Sequence, residues 1–152
     1  MSALSTDVKV LVIGAGAMGA GIAHVAALAG HAVYLYDTRA EAIERGIAGI
    51  GKDLAFLVGK GKLAAEVREA TLARITPVTE LAAARDAGLA IEAIVENLEI
   101  KQQLFRELET LLGPDAMLAS NTSSLSITAM GAALARPERL AGLHFFNPAP
   151  RM

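Results

Sequence analysis

A glycine-rich turn near the beginning of the chain, Gly14–Gly19 (GAGAMG), restricts the possible folds more than any other feature. An apolar run over residues 8–13, interrupted only by Lys9, precedes it and is typical of a strand buried on both faces. An apolar, alanine-rich stretch over 17–29 follows and predicts a buried helix, after which residues 32–36 form a second apolar run. Strand, helix and strand within about thirty residues make a βαβ unit, whose right-handed crossover makes the two strands parallel.

The remaining sequence repeats this alternation of helix and strand. Helical stretches over 39–58 and 64–73 separate the second strand from a third over 74–78, and this connection is longer than an ordinary crossover. Three more strands and two more helices are predicted, over 89–95, 98–112, 117–120, 126–134 and 139–144. We therefore expect an α/β fold: a Rossmann-type, doubly wound, mainly parallel sheet with a projecting helical pair between strands 2 and 3.

Composition excludes several classes of function. The chain has no cysteine, so a disulfide scaffold, a cysteine-ligated zinc and a thiol nucleophile are excluded, and no metal site is predicted. The net charge of −2 gives no reason to expect a nucleic acid or a membrane as a partner. Since no secretory signal is recognisable, a cytoplasmic location is expected.

The glycine turn has the spacing of a dinucleotide-binding motif, and it lies between a predicted strand and a predicted helix, as that motif requires. Gly14 permits the tight turn, Gly16 lets a pyrophosphate approach the backbone, and Gly19 lets helix and strand pack closely. The helix then directs free N–H groups and the positive end of its dipole towards the phosphates. The alternative is a glycine turn that binds nothing.

Asp37 follows the second predicted strand, where a dinucleotide-binding domain has an acidic residue for the adenosine ribose. A carboxylate there accepts hydrogen bonds from the ribose hydroxyls and repels a 2′-phosphate. The residues therefore favour NAD over NADP as the cofactor, although Arg39, two residues further on, would weaken that preference. A helix-capping aspartate without a ligand is the alternative.

Three segments in the second half of the chain have a more specific pattern. They are Ala93–Asn97 (AIVEN) with Lys101, Ser120–Leu125 (SNTSSL) and Gly142–Pro148 (GLHFFNP). In order and spacing, from the glycine turn to the last residue, the chain resembles the N-terminal domain of the 3-hydroxyacyl-CoA dehydrogenase family. The ending Pro148–Pro150 (PAP) looks like the bacterial 3-hydroxybutyryl-CoA dehydrogenase branch of that family.

This resemblance implies an activity and its main residues. The family oxidises the 3-hydroxyl of an L-3-hydroxyacyl-CoA to a ketone with NAD, and His144 matches its catalytic histidine, the general acid/base. Independently, His144 is the one of three histidines placed at the strand end where α/β sheets bind ligands, and imidazole titrates near neutral pH. Ser123 matches the serine that hydrogen-bonds the substrate oxygen; from composition alone it is one turn serine among several.

The resemblance also implies the remaining site residues. Asn147 matches an asparagine beside the nicotinamide and the substrate, and Glu96 and Lys101 match residues that contact the nicotinamide ribose. Lys60 matches a lysine that meets the CoA phosphates. On the residues alone, Glu96 and Lys101 are more typical of an exposed ion pair, and Lys60 of a solvated helix end. Motif and resemblance together predict a cofactor-binding set of Gly14, Gly16, Ala17, Met18, Gly19, Asp37, Glu96, Lys101 and Asn147.

In the family, an all-helical C-terminal domain completes the active site and forms the dimer. We therefore expect residues 1–152 to be an NAD-binding Rossmann domain from which that helical domain is absent. The chain alone should bind NAD with little or no turnover. The expected partners are an acyl-CoA substrate and, for the full-length protein, a second copy in a homodimer.

Two other interpretations stay open. One is a related 3-hydroxyisobutyrate or gulonate-type dehydrogenase. The projecting helical pair with Lys60 argues against it, because this feature favours a CoA substrate. The other is a non-catalytic dinucleotide-binding module. Ser123 and His144 argue against it, because such a module needs neither residue.

Overall fold

The computed structural model describes residues 4–151, which form one sheet with helices on both faces. The elements are β1 (Val10–Ile13), α1 (Ala17–Leu28), β2 (Val33–Tyr36), α2 (Ala40–Gly59), α3 (Ala65–Ala73), β3 (Ile75–Val78), β4 (Leu89–Glu92), α4 (Leu98–Leu111), β5 (Met117–Ser120), α5 (Ile127–Gly131) and β6 (Leu140–Gly142). Short 3₁₀ turns occur at Leu81–Ala84, Pro137–Arg139 and Ala149–Arg151.

The six strands lie in the order β3-β2-β1-β4-β5-β6, and all five pairings are parallel. This order confirms the predicted doubly wound Rossmann-type sheet. From β1 the chain first adds strands on one side, β2 and β3, and then returns to add β4, β5 and β6 on the other, so the order of addition reverses between β1 and β4. The last residues of the central strands are in register: Ile13 pairs with Glu92, and Glu92 pairs with Ser120. In sheets of this kind, ligands bind at the carboxyl ends of the strands beside such a reversal.

Two layers of apolar side chains hold the helices to the sheet, and β1 contributes to both. Val10 and Val12 pack on one face with side chains of α1 and α2. Leu11 and Ile13 pack on the other face with α4 and α5. Because all four side chains are buried, β1 has the continuous apolar sequence of a strand covered on both sides.

The strand β4 is shorter than its sequence predicts. It ends at Glu92 rather than Val95, although residues 93–95 are apolar. The Glu92 carboxylate turns back and accepts a hydrogen bond from the N–H of Ile94 at 3.1 Å. The side chain thereby takes a backbone donor that a longer strand would have given to its neighbour.

The elements β6 and α5 also end before their predicted boundaries. β6 ends at Gly142 rather than His144, because the adjacent strand β5 already ends at Ser120. α5 ends at Gly131 rather than Leu134, since the N–H of Leu134 bonds to the carbonyl of Gly131 in a tighter turn. His144 therefore lies in the loop after β6, two residues beyond the strand.

The helices α2 and α3 form the projecting pair predicted between strands 2 and 3. The last buried residue of α2 is Leu54, and Thr71 is the only buried residue of α3. Beyond Leu54 the pair extends into solvent, where Phe56 is 58% exposed. None of the helices within residues 4–151 combines the length and the apolar content needed to cross a membrane.

Replacing Gly51 by alanine is expected to stabilise the domain. Gly51 lies inside α2, and a Cβ added there would meet no atom within 4 Å. Because glycine is unfavourable in a helix, the free energy of unfolding should rise by about 0.5–1 kcal/mol in urea titrations. Gly46→Ala is the matched control in the same helix, since its Cβ would lie 3.2 Å from the Ala15 carbonyl oxygen. Lower stability of Gly51→Ala than of the parent chain would contradict this prediction.

Candidate functional site

The glycine turn has the geometry that its sequence predicts. Gly14 has a φ of +102°, which favours glycine, and a Cβ on it would lie 2.5 Å from the carbonyl oxygen of Ala93. A Cβ on Gly19 would lie 1.6 Å from the carbonyl oxygen of Gly14, so α1 meets the turn at a distance that only glycine permits. A Cβ on Gly16, by contrast, would meet no atom within 4 Å. Its backbone is therefore open to a ligand.

The N-terminus of α1 fits an anionic group at this opening. Its N-cap is Gly16, which has no side chain to cap the helix. Gly16 and Ala17 are exposed. Unpaired N–H groups and the positive end of the helix dipole therefore face the open side of the turn. These features suit the pyrophosphate of a dinucleotide.

Asp37 is held beside the turn. Its Oδ2 accepts the N–H of Ala15 and its Oδ1 the N–H of Arg39, both at 3.0 Å. Partial burial would raise the pKa of Asp37, but these two hydrogen bonds and the nearby Arg39 guanidinium outweigh it and hold the pKa below its usual value. The carboxylate is ionised and keeps acceptor capacity for hydroxyl groups, as the ribose role requires.

Two clefts open around the first turns of α1. The first, of about 430 Å³, lies between α1 and α2 and is closed on one side by Asn147–Pro150. It runs from Gly16 and Arg39 to Asp53. We call it the α1–α2 cleft.

The second cleft, which we call the strand-end cleft, has a volume of about 310 Å³ and lies at the carboxyl ends of the strands. It brings together residues that are widely separated in sequence. Six residues of the predicted site line it: Met18, Glu96, Lys101, Ser123, His144 and Asn147. Asn121, which the sequence analysis did not select, lines it as well.

Glu96 is a fixed anion at the wall of the strand-end cleft. Its Oε1 accepts the Lys101 ammonium at 2.8 Å, and its Oε2 accepts the hydroxyls of Thr122 at 2.6 Å and Ser124 at 2.8 Å. Desolvation would raise the pKa of Glu96, but the hydrogen bonds from these three residues outweigh it and lower the pKa from 4.5 to about 2. With 42% of its side chain exposed, Glu96 is accessible to a ligand.

Lys101 forms the ion pair with Glu96 that the residues alone suggest, but Lys101 is buried rather than exposed. Its side chain is 1% exposed, and its Nζ lies 2.6 and 2.8 Å from the two carboxylate oxygens of Glu92. Glu92 is fully buried and also accepts a hydrogen bond from the Ser120 hydroxyl. Sequence reasoning did not assign Glu92. The feature of the sequence that could have identified Glu92 is a carboxylate at the end of an apolar strand. Such a carboxylate is buried, and buried charges in proteins are paired, so a partner cation is expected.

His144 lies in the strand-end cleft between two backbone anchors. The N–H of Leu143 donates to the carbonyl of Ser120 at 2.9 Å, and the N–H of Phe145 donates to the Asn121 side-chain oxygen at 2.7 Å. The His144 and Phe146 rings lie 4.9 Å apart, centroid to centroid. The loop that carries the predicted catalytic histidine is therefore tied on both sides to the end of β5.

Comparison with known proteins identifies the family of this chain. The model of a family described as 3-hydroxyacyl-CoA dehydrogenase, NAD binding domain, matches residues 9–152. The chain belongs to the 3-hydroxyacyl-CoA dehydrogenase family. The family description also confirms NAD as the cofactor, as the glycine turn and Asp37 predict.

Individual relatives agree with this assignment. The chain is 55% identical over 143 residues to a 3-hydroxyadipyl-CoA dehydrogenase of Escherichia coli K12, covering 94% of this chain and 30% of the relative. It is 49% identical over 144 residues to a 3-hydroxybutyryl-CoA dehydrogenase of Bradyrhizobium diazoefficiens, covering 95% and 49%. The crystal structure of a 3-hydroxybutyryl-CoA dehydrogenase from E. coli K12 matches with a TM-score of 0.94 at 54% identity, covering 95% and 31%. The chain thus spans from under a third to about half of the length of these relatives.

Lys60 lies apart from the other predicted site residues of this domain. It is exposed at the C-terminal end of α2, and its ammonium lies 5.6 Å from the centroid of the Phe56 ring. Lys60 lines neither cleft. A contact between Lys60 and a phosphate therefore requires a ligand that reaches the projecting helical pair.

Acid is expected to weaken the contribution of Glu96 to the stability of the domain. Its folded-state pKa of about 2 lies below the ordinary 4.5. The contribution is therefore complete above pH 4.5 and is lost as the pH falls towards 2. In urea unfolding, the stability difference between the parent chain and Glu96→Gln should be constant above about pH 5 and shrink below it. A difference that stays constant down to pH 2.5 would contradict the lowered pKa.

Proposed function

We propose that the chain is the NAD-binding domain of an enzyme that oxidises L-3-hydroxyacyl-CoA to 3-oxoacyl-CoA and catalyses the reverse reaction. The observation that carries this proposal is the strand-end cleft, where Ser123, His144 and Asn147 lie together beside Glu96 and the first turn of α1. A domain that only binds a nucleotide would need neither a serine nor a histidine there.

His144 is proposed as the general acid/base. During oxidation its imidazole accepts the proton of the substrate 3-hydroxyl, and during reduction it returns that proton. Ser123 donates a hydrogen bond to the same oxygen and fixes its position. The chemistry that bound NAD supplies is hydride acceptance. The anchors on both sides of His144 keep the imidazole in place, and a fixed position favours proton transfer.

The cofactor would lie across the reversal of the sheet. The pyrophosphate is assigned to the turn and the start of α1, and the adenosine ribose to Asp37. The nicotinamide end is assigned to Glu96 and Asn147, with Lys101 bonded to Glu96. The full proposed set comprises Gly14, Gly16, Ala17, Met18, Gly19, Asp37, Glu96, Lys101 and Asn147.

The substrate and assembly proposals reach beyond this chain. Ser123, Asn147 and Lys60 are proposed to bind the acyl-CoA, with Lys60 meeting its phosphates. Residues 1–152 would be followed in the full-length protein by a helical domain that completes the site and forms a homodimer in the cytoplasm. The short span of the chain relative to its relatives supports this division. The chain alone is then expected to bind NAD with little turnover.

Titration of the chain with NADH and NADPH, followed by nicotinamide fluorescence, tests the cofactor part. NADH should bind at least about 10-fold more tightly, because the Asp37 carboxylate repels a 2′-phosphate. Asp37→Asn should weaken NADH binding and narrow this ratio. Asp115→Asn, an exposed carboxylate before β5, should change neither value. Equal binding of the two nucleotides by the parent chain would contradict the proposed site.

Oxidation of L-3-hydroxybutyryl-CoA tests the catalytic part. The full-length protein should turn over, whereas the 152-residue chain should not. Rapid turnover by the chain alone would refute the proposed need for a second domain. No turnover by the full-length protein with any L-3-hydroxyacyl-CoA would refute the activity.

A further inference from the structure

We propose that Asn121 is a positioning residue for His144, and that it acts through one hydrogen bond to the backbone of the loop after β6. Asn121 has no role in the glycine motif or in the set of residues that the family resemblance implies. The inference rests on the proposed acid/base role of His144, because a positioning residue affects turnover only if the residue that it positions takes part in the reaction.

The pairing of β5 with β6 ends before the residue that it has to place. β5 ends at Ser120, whose carbonyl accepts the N–H of Leu143 at 2.9 Å. Hydrogen bonds between parallel strands are evenly spaced, and every second residue donates. The next donor of this ladder is therefore the N–H of Phe145, and its regular acceptor would be the carbonyl of Thr122.

The side chain of Asn121 replaces that acceptor. Its Oδ1 accepts the N–H of Phe145 at 2.7 Å. Asn121 is itself held in place, because its own N–H donates to the carbonyl of Glu92 at 2.9 Å. The hydrogen bonding between the two segments thus continues one step beyond β5, although the main chain after Ser120 has left the strand.

This hydrogen bond links the two segments that carry the proposed catalytic side chains. Ser123 lies two residues after Asn121, His144 lies one residue before Phe145, and both side chains line the strand-end cleft. His144 is exposed, and the ring that it contacts, Phe146, is exposed as well. Because this contact restrains the imidazole little, its position depends on the backbone bonds on either side of it.

The partner of Asn121 also shows which end of its amide is needed. A backbone N–H can only donate, so the atom that accepts it is the carbonyl oxygen and not the NH₂ group. Aspartate has the shape of asparagine and keeps an acceptor oxygen, whereas leucine has a similar branched shape and no acceptor. Both substitutions remove the NH₂ group, so a difference between them reports on the acceptor alone.

The experiment compares Asn121→Leu and Asn121→Asp in the full-length protein, with L-3-hydroxybutyryl-CoA and NAD as substrates. Asn121→Leu should lower kcat by about 10²-fold, because a displacement of about 1 Å at a reacting group is sufficient for such a loss. Asn121→Asp should keep kcat within about fivefold of the parent, because it keeps the acceptor. Each kcat is taken from the plateau of its pH profile, so that the effect of the new carboxylate on proton uptake does not enter the comparison.

Two further measurements separate positioning from a general loss of structure. NADH affinity of the 152-residue chain should change by no more than about threefold in Asn121→Leu, because the segment after the loop is held separately by Ala149, which is buried against α1. In a His144→Gln background, Asn121→Leu should lower the residual rate by less than about threefold, since it acts through the imidazole that is already absent.

Ser126→Ala is the control, because it removes another side-chain acceptor of a backbone N–H at a position outside both clefts. It should leave kcat unchanged in folded protein. If Asn121→Leu does not fold, Asn121→Ala takes its place, since the smaller side chain leaves room for a water molecule at the Phe145 N–H.

Three results would overturn the positioning role. They are a parent-like kcat of the variant without the acceptor, an Asn121→Asp variant as slow as Asn121→Leu, and a loss in the His144→Gln background as large as in the parent. A fall in NADH affinity as large as the fall in kcat would likewise assign Asn121 to the fold. If His144→Gln keeps full activity, the proposed mechanism fails and this inference fails with it; a slow His144→Gln beside a parent-like Asn121→Leu refutes this inference alone.

Discussion

A chain with Gly19→Ala is expected to lose its stable fold together with NADH binding. The added Cβ would lie 1.6 Å from the Gly14 carbonyl oxygen, and backbone on both sides of this contact would have to separate. Overpacking against backbone at a buried position should lower the free energy of unfolding by about 3 kcal/mol or more. Urea unfolding followed by circular dichroism measures this loss.

Gly16→Ala is the matched control for this prediction, because it adds the same methyl group to the same turn. Its Cβ would meet no protein atom within 4 Å, so the fold should be retained. NADH binding should still weaken, since the methyl group occupies the space proposed for the pyrophosphate. A Gly19→Ala chain with parent-like stability would show that α1 can move away from the turn, contrary to the packing described above.

Replacing His144 by glutamine is expected to lower kcat of the full-length protein by about 10²–10⁴-fold, the usual contribution of a general acid/base. Glutamine keeps hydrogen-bonding groups at this position but cannot accept the proton at neutral pH. Because the backbone on both sides of residue 144 is anchored to β5, the loop should keep its position. NADH affinity of the chain should therefore change by no more than about threefold.

His31→Gln is the control for the loss of an imidazole. The Nδ1 of His31 lies 2.9 Å from the carbonyl oxygen of Val8, before the amino end of β2 and therefore at the opposite end of the sheet from the strand-end cleft. The His31→Gln variant should leave kcat unchanged in folded protein. Full activity of His144→Gln would assign proton transfer to another group and would remove the main support for the proposed mechanism.

The order and type of the elements could be predicted from the sequence, because each buried strand is an apolar run and each helix carries an apolar face. Boundaries were less predictable where a side chain competes for backbone donors. Glu92 accepts a hydrogen bond from the N–H of Ile94 and ends β4 within an apolar stretch. No local sequence pattern predicts this strand end. Similarly, β6 ends where its neighbour ends, which is a property of the sheet and not of residues 140–144.

Family resemblance selected five of the residues that line the strand-end cleft, but it gave no information about their environment. A lysine three residues into a helix, with a glutamate nearby, has the local sequence of an exposed pair. It is buried because the strand register brings Glu92 next to Ser120 beneath it. Such a relation depends on residues from three separate segments, so local sequence could not reveal it. The role of Asn121 could not be predicted for the same reason, since its side chain accepts a hydrogen bond from the N–H of Phe145, which is distant in sequence.

The turn at Gly14 has a consequence for the glycine motif as a unit. A Cβ on Gly14 would strike the carbonyl oxygen of Ala93, which follows β4, and β1 pairs with β4 as well as with β2. The familiar segment from the first strand to Asp37 is thus one half of a composite, whose other half arrives more than fifty residues later in the chain. The βαβ unit contains the glycine motif and Asp37, but its conformation at Gly14 also depends on β4 and Ala93. We therefore expect that the unit would not keep this conformation if it were transferred to another protein without them.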